Sequence, residues 1–155
     1  MTQTPCLKTG FAATMMSMLG VDLPQKMALA VSGGGDSMAL LYLAADWARL
    51  WQVDLSVVTI DHQLRRESGA EAALVKAVSQ DLGLTHTTLL WQGWNGQGNL
   101  PDAARRARLD LINGWRREIQ YVLMGHTLDD QAETFLMRLR RGSGVDGLSG
   151  IAPVH

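Results

Sequence analysis

The chain carries a single cysteine, Cys6, among its 155 residues. One thiol excludes an internal disulfide framework and any cysteine-rich zinc or iron–sulfur site. Its place near the amino end reads as a bystander rather than a reactive group. Charge of one sign is equally scarce, because 14 Lys and Arg face 15 Asp and Glu for a net charge of −1. The whole chain therefore does not announce a nucleic-acid binder, and any such role has to come from local clustering. Long apolar runs are missing too: nothing approaches the roughly 18 residues of a membrane span. The apolar stretch from Phe11 to Val21 follows Lys8, and Ala28-Leu29-Ala30 imitates a cleavage site, but Asp22, Pro24, Gln25 and Lys26 intervene. A secretory signal is rejected on that ground, since cleavage there would delete the first good strand. The expectation is a cytoplasmic protein with no membrane partner.

What is present suits an ordinary folded domain. Hydrophobic residues make up 46% of the chain and charged residues 19%, with 16 Gly and four Pro, which excludes disordered, collagen-like and coiled-coil classes. A chain of this length buries about 70% of its unfolded surface and needs no metal or disulfide to be stable.

Periodicity then sets the organisation. Phe11, Met15, Met18 and Leu19 recur at helical spacing, and Gly20 and Pro24 end that helix. From Met27 a strand–loop–helix pattern repeats. Strands are expected at Met27–Val31, Leu55–Ile60, His86–Trp91 and Tyr121–Met124. Helices are expected over Ser37 to about Leu50, Ser68–Leu82, Pro101 to about Glu118, and Asp130–Arg141. Four strands alternating with helices predict an α/β fold, a doubly wound parallel sheet with right-handed crossovers. Residues 1–24 read as a helical extension and 25–155 as one nucleotide-binding domain. The sequence ends just after a helix, where such a sheet ordinarily continues, so the domain reads as truncated before a fifth strand.

The glycine-rich segment Ser32-Gly33-Gly34-Gly35-Asp36-Ser37 falls between the first strand and its helix. An open α/β sheet binds ligands there, at a strand's carboxyl end. Glycines let the backbone approach an anion, and the free N–H groups and positive dipole at a helix start favour phosphate. Ser32 and Ser37 add hydroxyl groups. A Walker loop is excluded because the segment has no lysine, and a dinucleotide loop because Met38 stands where a third glycine is required. The segment does match the Ser-Gly-Gly-x-Asp-Ser signature of ATP pyrophosphatases, the PP-loop. In that chemistry pyrophosphate leaves, and amides, hydroxyls and a metal near Asp36 can carry its charge without a lysine.

The segment after the fourth strand, Gly125 to Thr134, contains His126, Asp129, Asp130 and Glu133. Adjacent carboxylates beside a phosphate site call for a cation, and ATP-bound Mg²⁺ is the economical one. The same residues also suit a helix start, as capping-box partners or dipole-stabilised acids. Asp61, ending the second strand, meets either a nucleoside edge or a turn. His62 and His126 with Asp129 form a weaker metal candidate, since oxygen ligands suit Mg²⁺ better.

On the helix after Pro101, Leu100, Ala104, Ala107, Leu111 and Trp115 form the expected buried stripe, flanked by Arg105 and Arg108. Two arginines at that edge can reach phosphates. From Arg105 to Arg141 eight arginines face five acids, a modest basic patch compatible with RNA. Trp47, Trp51, Trp91 and Trp115 read as core residues, and Trp94, in the glycine-rich loop, as the best base-stacking candidate.

Together these segments resemble the amino-terminal catalytic domain of the tRNA(Ile)-lysidine synthetases. The resemblance is carried by Ala30–Ser37, by Asp61-His62-Gln63-Leu64-Arg65 through Glu67-Ser68, and by Asn99-Leu100 through Ala104-Arg105-Arg106-Ala107-Arg108. It continues through Gly125–Thr134, Leu136–Leu139 and Arg141–Gly144. It implies a fold of the adenine nucleotide alpha hydrolase (HUP) type with strand order 3-2-1-4. It also implies a carbon–nitrogen ligase that uses ATP and Mg²⁺ to join free L-lysine to C2 of the wobble cytidine of a CAU-anticodon tRNA(Ile). An adenylated cytidine is the intermediate, and pyrophosphate and AMP are released. Implied catalytic residues are Asp36, Asp129, Asp130, Arg105 and Arg108. Implied ATP-binding residues are Ser32 to Ser37, Asp61 and His126; Asp36, Asp129 and Glu133 are the implied metal ligands.

Three alternatives share the fold or the loop: a tRNA-thiolating enzyme, which ordinarily wants more cysteines than Cys6; an amide-forming synthetase; and an ATP-binding module or inactive fragment. The family's catalytic domain runs on past this length, so the fourth strand is expected to be an edge covered by a homodimer partner or a missing carboxyl-terminal region.

Overall fold

The computed structural model describes residues 6–64, 67–92, 94, 96–126, 132 and 136. The chain divides into two compact units, Met1–Met124 and Gly125–His155. In the first, the order is α1 (Leu7–Leu19), β1 (Lys26–Ala30), α2 (Gly35–Trp51), β2 (Asp54–Asp61), α3 (Ser68–Asp81), β3 (Thr85–Leu90), α4 (Leu100–Arg116) and β4 (Tyr121–Met124). Every strand pairing is parallel and the sheet order is β3-β2-β1-β4, as the strand–helix alternation and the resemblance predict.

Alternation along the inner strands divides the sheet into two faces. Met27, Leu29 and Val31, with Leu55 and Val57, join Leu41, Ala44, Trp47 and Ala48 of α2, Val75 of α3 and Met15 of α1 in one core. The residues between them, Ala28 and Val58, are also buried, and α4 contacts β2 from that other face. The inner strands are thus covered on both sides, which explains their near-continuous apolar runs. Because Met15 belongs to the same core, the amino-terminal helix packs on the sheet domain.

Local chemistry sets most boundaries. Gly20 ends α1 at φ +77°, and its N–H donates to Met16 O. Asn99 caps α4 by accepting from the Asp102 N–H, with Pro101 in the first turn. Helix α2 begins at Gly35, two residues before the expected Ser37, because the end of the glycine segment already turns helical with Gly34 as its N-cap. Among the described residues β4 pairs with β1 alone. Of the expected helix at Asp130–Arg141, only Ala132 and Leu136 are described, and both are helical.

Candidate nucleotide site

The glycine loop leaves the sheet where the ladder stops. The Val31 N–H donates to Val58 O at 2.9 Å, and Ser32 is the first residue beyond it. Gly33 adopts φ +91°, and a Cβ built there would lie 3.1 Å from the Glu71 Cβ in the first turn of α3. A side chain is therefore strained by the conformation and met by a contact tighter than ordinary van der Waals packing. A Cβ on Gly35 would meet nothing within 4 Å, so the loop is open on its outer side. The first bond inside α2 runs from the Met38 N–H to Gly34 O at 2.9 Å, and no side chain caps the helix. The N–H groups of Gly35, Asp36 and Ser37 precede that bond and converge at the positive end of a 17-residue helix, a ready anion site.

The two serine hydroxyls are engaged within the loop itself. The Ser37 hydroxyl is buried and donates to Gly34 O at 2.9 Å. Ser32 Oγ lies 3.1 Å from Ser37 Oγ. With the Ser37 proton directed to the carbonyl, Ser32 is the donor of that pair, and both protons hold the loop's own shape. The backbone amides are left as the main anion donors. Asp36 is exposed in the first turn of α2.

Asp61 ends β2 as a buried residue whose Oδ1 accepts the Gln63 N–H at 2.8 Å, and Gln63 takes φ +52°. The geometry is that of an Asx-type turn, the second of the two roles open to it from sequence. The Trp91 N–H donates to Asp61 O at 2.9 Å, which ties the ends of β2 and β3 together. His62 then meets Trp91 edge to face, ring centres 5.4 Å apart at 87°. Trp94 follows at 6.4 Å and 55° from Trp91. His62 Nδ1 is buried without a hydrogen-bond partner.

Helix α4 places Arg108 half-buried in its inward stripe, not at the stripe's edge, whereas Arg105 is exposed. The expected stripe residues Leu100, Ala104, Ala107, Leu111 and Trp115 are all half-buried, and the one fully buried residue is Ile112. Burial, and then the charge of Arg105, pulls the Arg108 guanidinium below the ordinary arginine value; it remains charged at neutral pH. Burial, followed by the charge of Arg108, holds His62 below the usual histidine range, against a smaller opposing pull from Asp61.

His86, at the opposite end of the sheet, is also pulled down, first by burial and then by Lys76. Its Nε2 is 2.9 Å from Thr59 Oγ1, a structural pairing. Both histidines therefore bind protons more weakly folded than unfolded, where the value is about 6.5. Stability is complete above that value and declines as pH falls from it through the folded values. Thermal melts between pH 7.5 and 5.5 should show a falling midpoint, and His62→Gln with His86→Gln should flatten that dependence.

Of the residues singled out from sequence, Ser32–Ser37 and Asp61 sit at the carboxyl ends of neighbouring strands β1 and β2, and β4 ends at Met124, level with Ala30. Asp129, Asp130 and Glu133 lie outside the described residues, and exposed His126 belongs to the second unit. Among the described residues no group of three His, Cys, Asp or Glu is gathered to hold a metal. The described part of the site thus offers Mg²⁺ no assembled ligand set, and the exposed Asp36 carboxylate in the first turn of α2 fits a cation held mainly by phosphate oxygens. Trp51, Trp91 and Trp115 depart from expectation, since Trp51 is 43% exposed at the end of α2, Trp91 contacts His62 outside the core, and Trp115 is half-buried outside the core cluster. Trp47 is buried in the core as expected. The sequence reading missed Glu71 and Ile112, and no local motif marks either one.

A parallel sheet in this order, with a glycine loop joining an inner strand to an uncapped helix, defines an α/β domain built to receive a nucleotide's phosphates. The chain belongs to the PP-loop domain family (ATP_bind_3), which it matches over residues 7–155. It is 54% identical over 132 residues to the tRNA(Ile)-lysidine synthase of Ruegeria pomeroyi, a match covering 84% of this chain and 32% of that protein. It is 52% identical over 130 residues to the tRNA(Ile)-lysidine synthase of Bradyrhizobium diazoefficiens, covering 81% and 36%. The chain thus spans about a third of the length of the curated relatives it matches.

Among solved structures it is similar to the U34-tRNA thiolase NcsA from Methanococcus maripaludis, with a TM-score of 0.71, 20% identity, and coverage of 89% of this chain and 51% of that one. The NH3-dependent NAD synthetase from Campylobacter jejuni aligns with a TM-score of 0.55 and 13% identity, covering 91% and 74%. At these identities the two structures establish the shared fold. Among the described residues no helix is long and apolar enough to cross a membrane.

Proposed function

We propose that this chain is the ATP-binding catalytic part of a tRNA(Ile)-lysidine synthase, acting in the cytoplasm on a CAU-anticodon tRNA(Ile) and free L-lysine. The observation that carries the reading is its 54% identity to a protein of that name. The open amide cradle at Gly35–Ser37 supports it chemically. Residues 25–155 form the catalytic domain in this reading, with residues 1–24 as its helical extension.

Two steps follow. The cytidine O2 attacks the α-phosphorus of ATP and pyrophosphate leaves; the amine of lysine then attacks C2 and AMP leaves. In the first, the amides at the start of α2 bind the departing pyrophosphate, and the guanidiniums of Arg105 and Arg108 balance phosphate charge. Asp36, Asp129 and Glu133 would hold ATP-bound Mg²⁺, which would supply Lewis-acid neutralisation of phosphate charge. In the second, the attacking amine has to lose its proton although lysine's ordinary value is near 10.4. Asp129 or Asp130 is the base. Asp61 holds the strand-end turn beside the nucleoside, and His126 adds a further ATP contact.

The test is pyrophosphate release by this chain with and without the tRNA, and lysidine formation with and without lysine. Release that depends on the CAU-anticodon tRNA is the expected result. Equal release without the RNA assigns an amide-forming or other adenylating activity, and ATP binding without turnover assigns a binding module.

A further inference from the structure

Outside the core cluster the described residues contain one aromatic group drawn from three places in the chain: His62 after β2, Trp91 after β3, and Trp94 in the glycine-rich loop before α4. We propose that these rings form a stacking shelf for one unpaired base of the RNA substrate, with Trp94 as the contacting ring. The proposal rests on the RNA-dependent reading above.

Four observations support it. The rings sit at the carboxyl ends of β2 and β3, the ligand side of an open parallel sheet. Neither ring pair is stacked in parallel, since one is T-shaped at 87° and the other tilted at 55°, so Trp94, at the open end of the series, has no ring lying flat against it. All three residues are half-buried, and His62, whose Nδ1 is buried, packs against Trp91 in a T-shaped contact.

The fourth is charge. The positive field of Arg108 on α4 reaches His62, and Arg105 stands three residues before it on the same helix, so cationic charge faces the His62 end of the group. Aromatic faces beside such charge are how proteins hold single-stranded nucleic acid, and only an unpaired base has a face to offer. The adenine of ATP is the competing occupant, and a parallel titration with ATP distinguishes the two.

The experiment is a fluorescence titration of this chain with an anticodon stem–loop RNA carrying CAU, alongside a titration with ATP. Trp94→Ala is expected to weaken the RNA about tenfold or more, while Trp94→Phe stays within about threefold of the parent and ATP affinity is unchanged in both. Parent-like RNA affinity in Trp94→Ala overturns the shelf and leaves the RNA reading standing. Weakened ATP binding with unchanged RNA binding overturns it in favour of an adenine contact. A parent chain that shows no saturable response to the RNA overturns both.

Discussion

Gly33→Ala is expected to reduce ATP-dependent pyrophosphate release by about 100-fold or more while leaving a folded chain. The residue sits at φ +91° and its missing Cβ would come 3.1 Å from the Glu71 Cβ, 3.5 Å from Glu71 O and 3.6 Å from the Glu71 Cα. Only the 3.1 Å approach is tighter than ordinary contact, and because it is to the stem of a helical side chain it is relieved by a small shift of loop or helix, not by swinging a side-chain end. Alanine therefore forces the loop or the helix to shift, and strain of this kind costs on the order of 1–3 kcal/mol. Stability can absorb that much, but the positive φ also forces alanine to re-set the loop backbone itself, and the amides move with it; misplacement of about 1 Å at a reacting centre costs roughly 100-fold. Thermal melts and pyrophosphate assays on the same preparation separate the two effects. Gly69→Ala is the control: its added Cβ meets nothing within 4 Å inside α3, and release should be unchanged. A Gly33→Ala chain with parent-like release would mean that the close approach to Glu71 is irrelevant to the site.

The second large effect is expected at Arg108. Arg108→Leu should lower pyrophosphate release by about 100-fold, as loss of one charge-assisted contact to a phosphate in the transition state does. Leucine covers the same half-buried strip of α4, so the melting temperature should change little. Arg108→Lys keeps the charge without the planar fork and should recover only part of the rate. A second readout comes from His62, which Arg108 pushes down after burial has done so. Removing the guanidinium should raise the His62 value towards the ordinary histidine range, followed by NMR titration of the ring protons. If the His62 titration moves and the rate does not, Arg108 is a neighbour of the site without a part in the chemistry.

Much of this architecture is legible from the chain alone, for a physical reason. Apolar runs such as Met27–Val31 and Leu55–Ile60, separated by helix-length amphipathic segments, admit few arrangements other than a parallel sheet, and the sheet has that form. The glycine loop is legible because backbone approach to an anion has a compositional signature. What the sequence conceals are contacts made by tertiary placement. Gly33 is visibly a glycine, but its neighbour Glu71 is 38 positions away and carries no motif. Trp91 is indistinguishable from a core tryptophan until the pairing of Asp61 with Leu90 sets it beside His62. Arg108 reads as an edge residue by helical spacing, yet α4 is rotated enough to take it into the half-buried stripe with Ile112 fully inside.

The division of the sheet into two faces has one more outcome. Asp61 shares its parity with Leu55 and Val57, whereas the next residue, His62, alternates to the other side and lies within the field of Arg108 of α4. Two consecutive residues of one chain thus serve opposite rooms of the domain, and the assignment is kept only by counting from the first paired residue of β2, Asp54. A single-residue insertion or deletion within β2 would exchange them, sending an imidazole towards α3 and a carboxylate towards Arg108. In this strand length is itself an element of specificity: substitutions there can be conservative, but indels cannot.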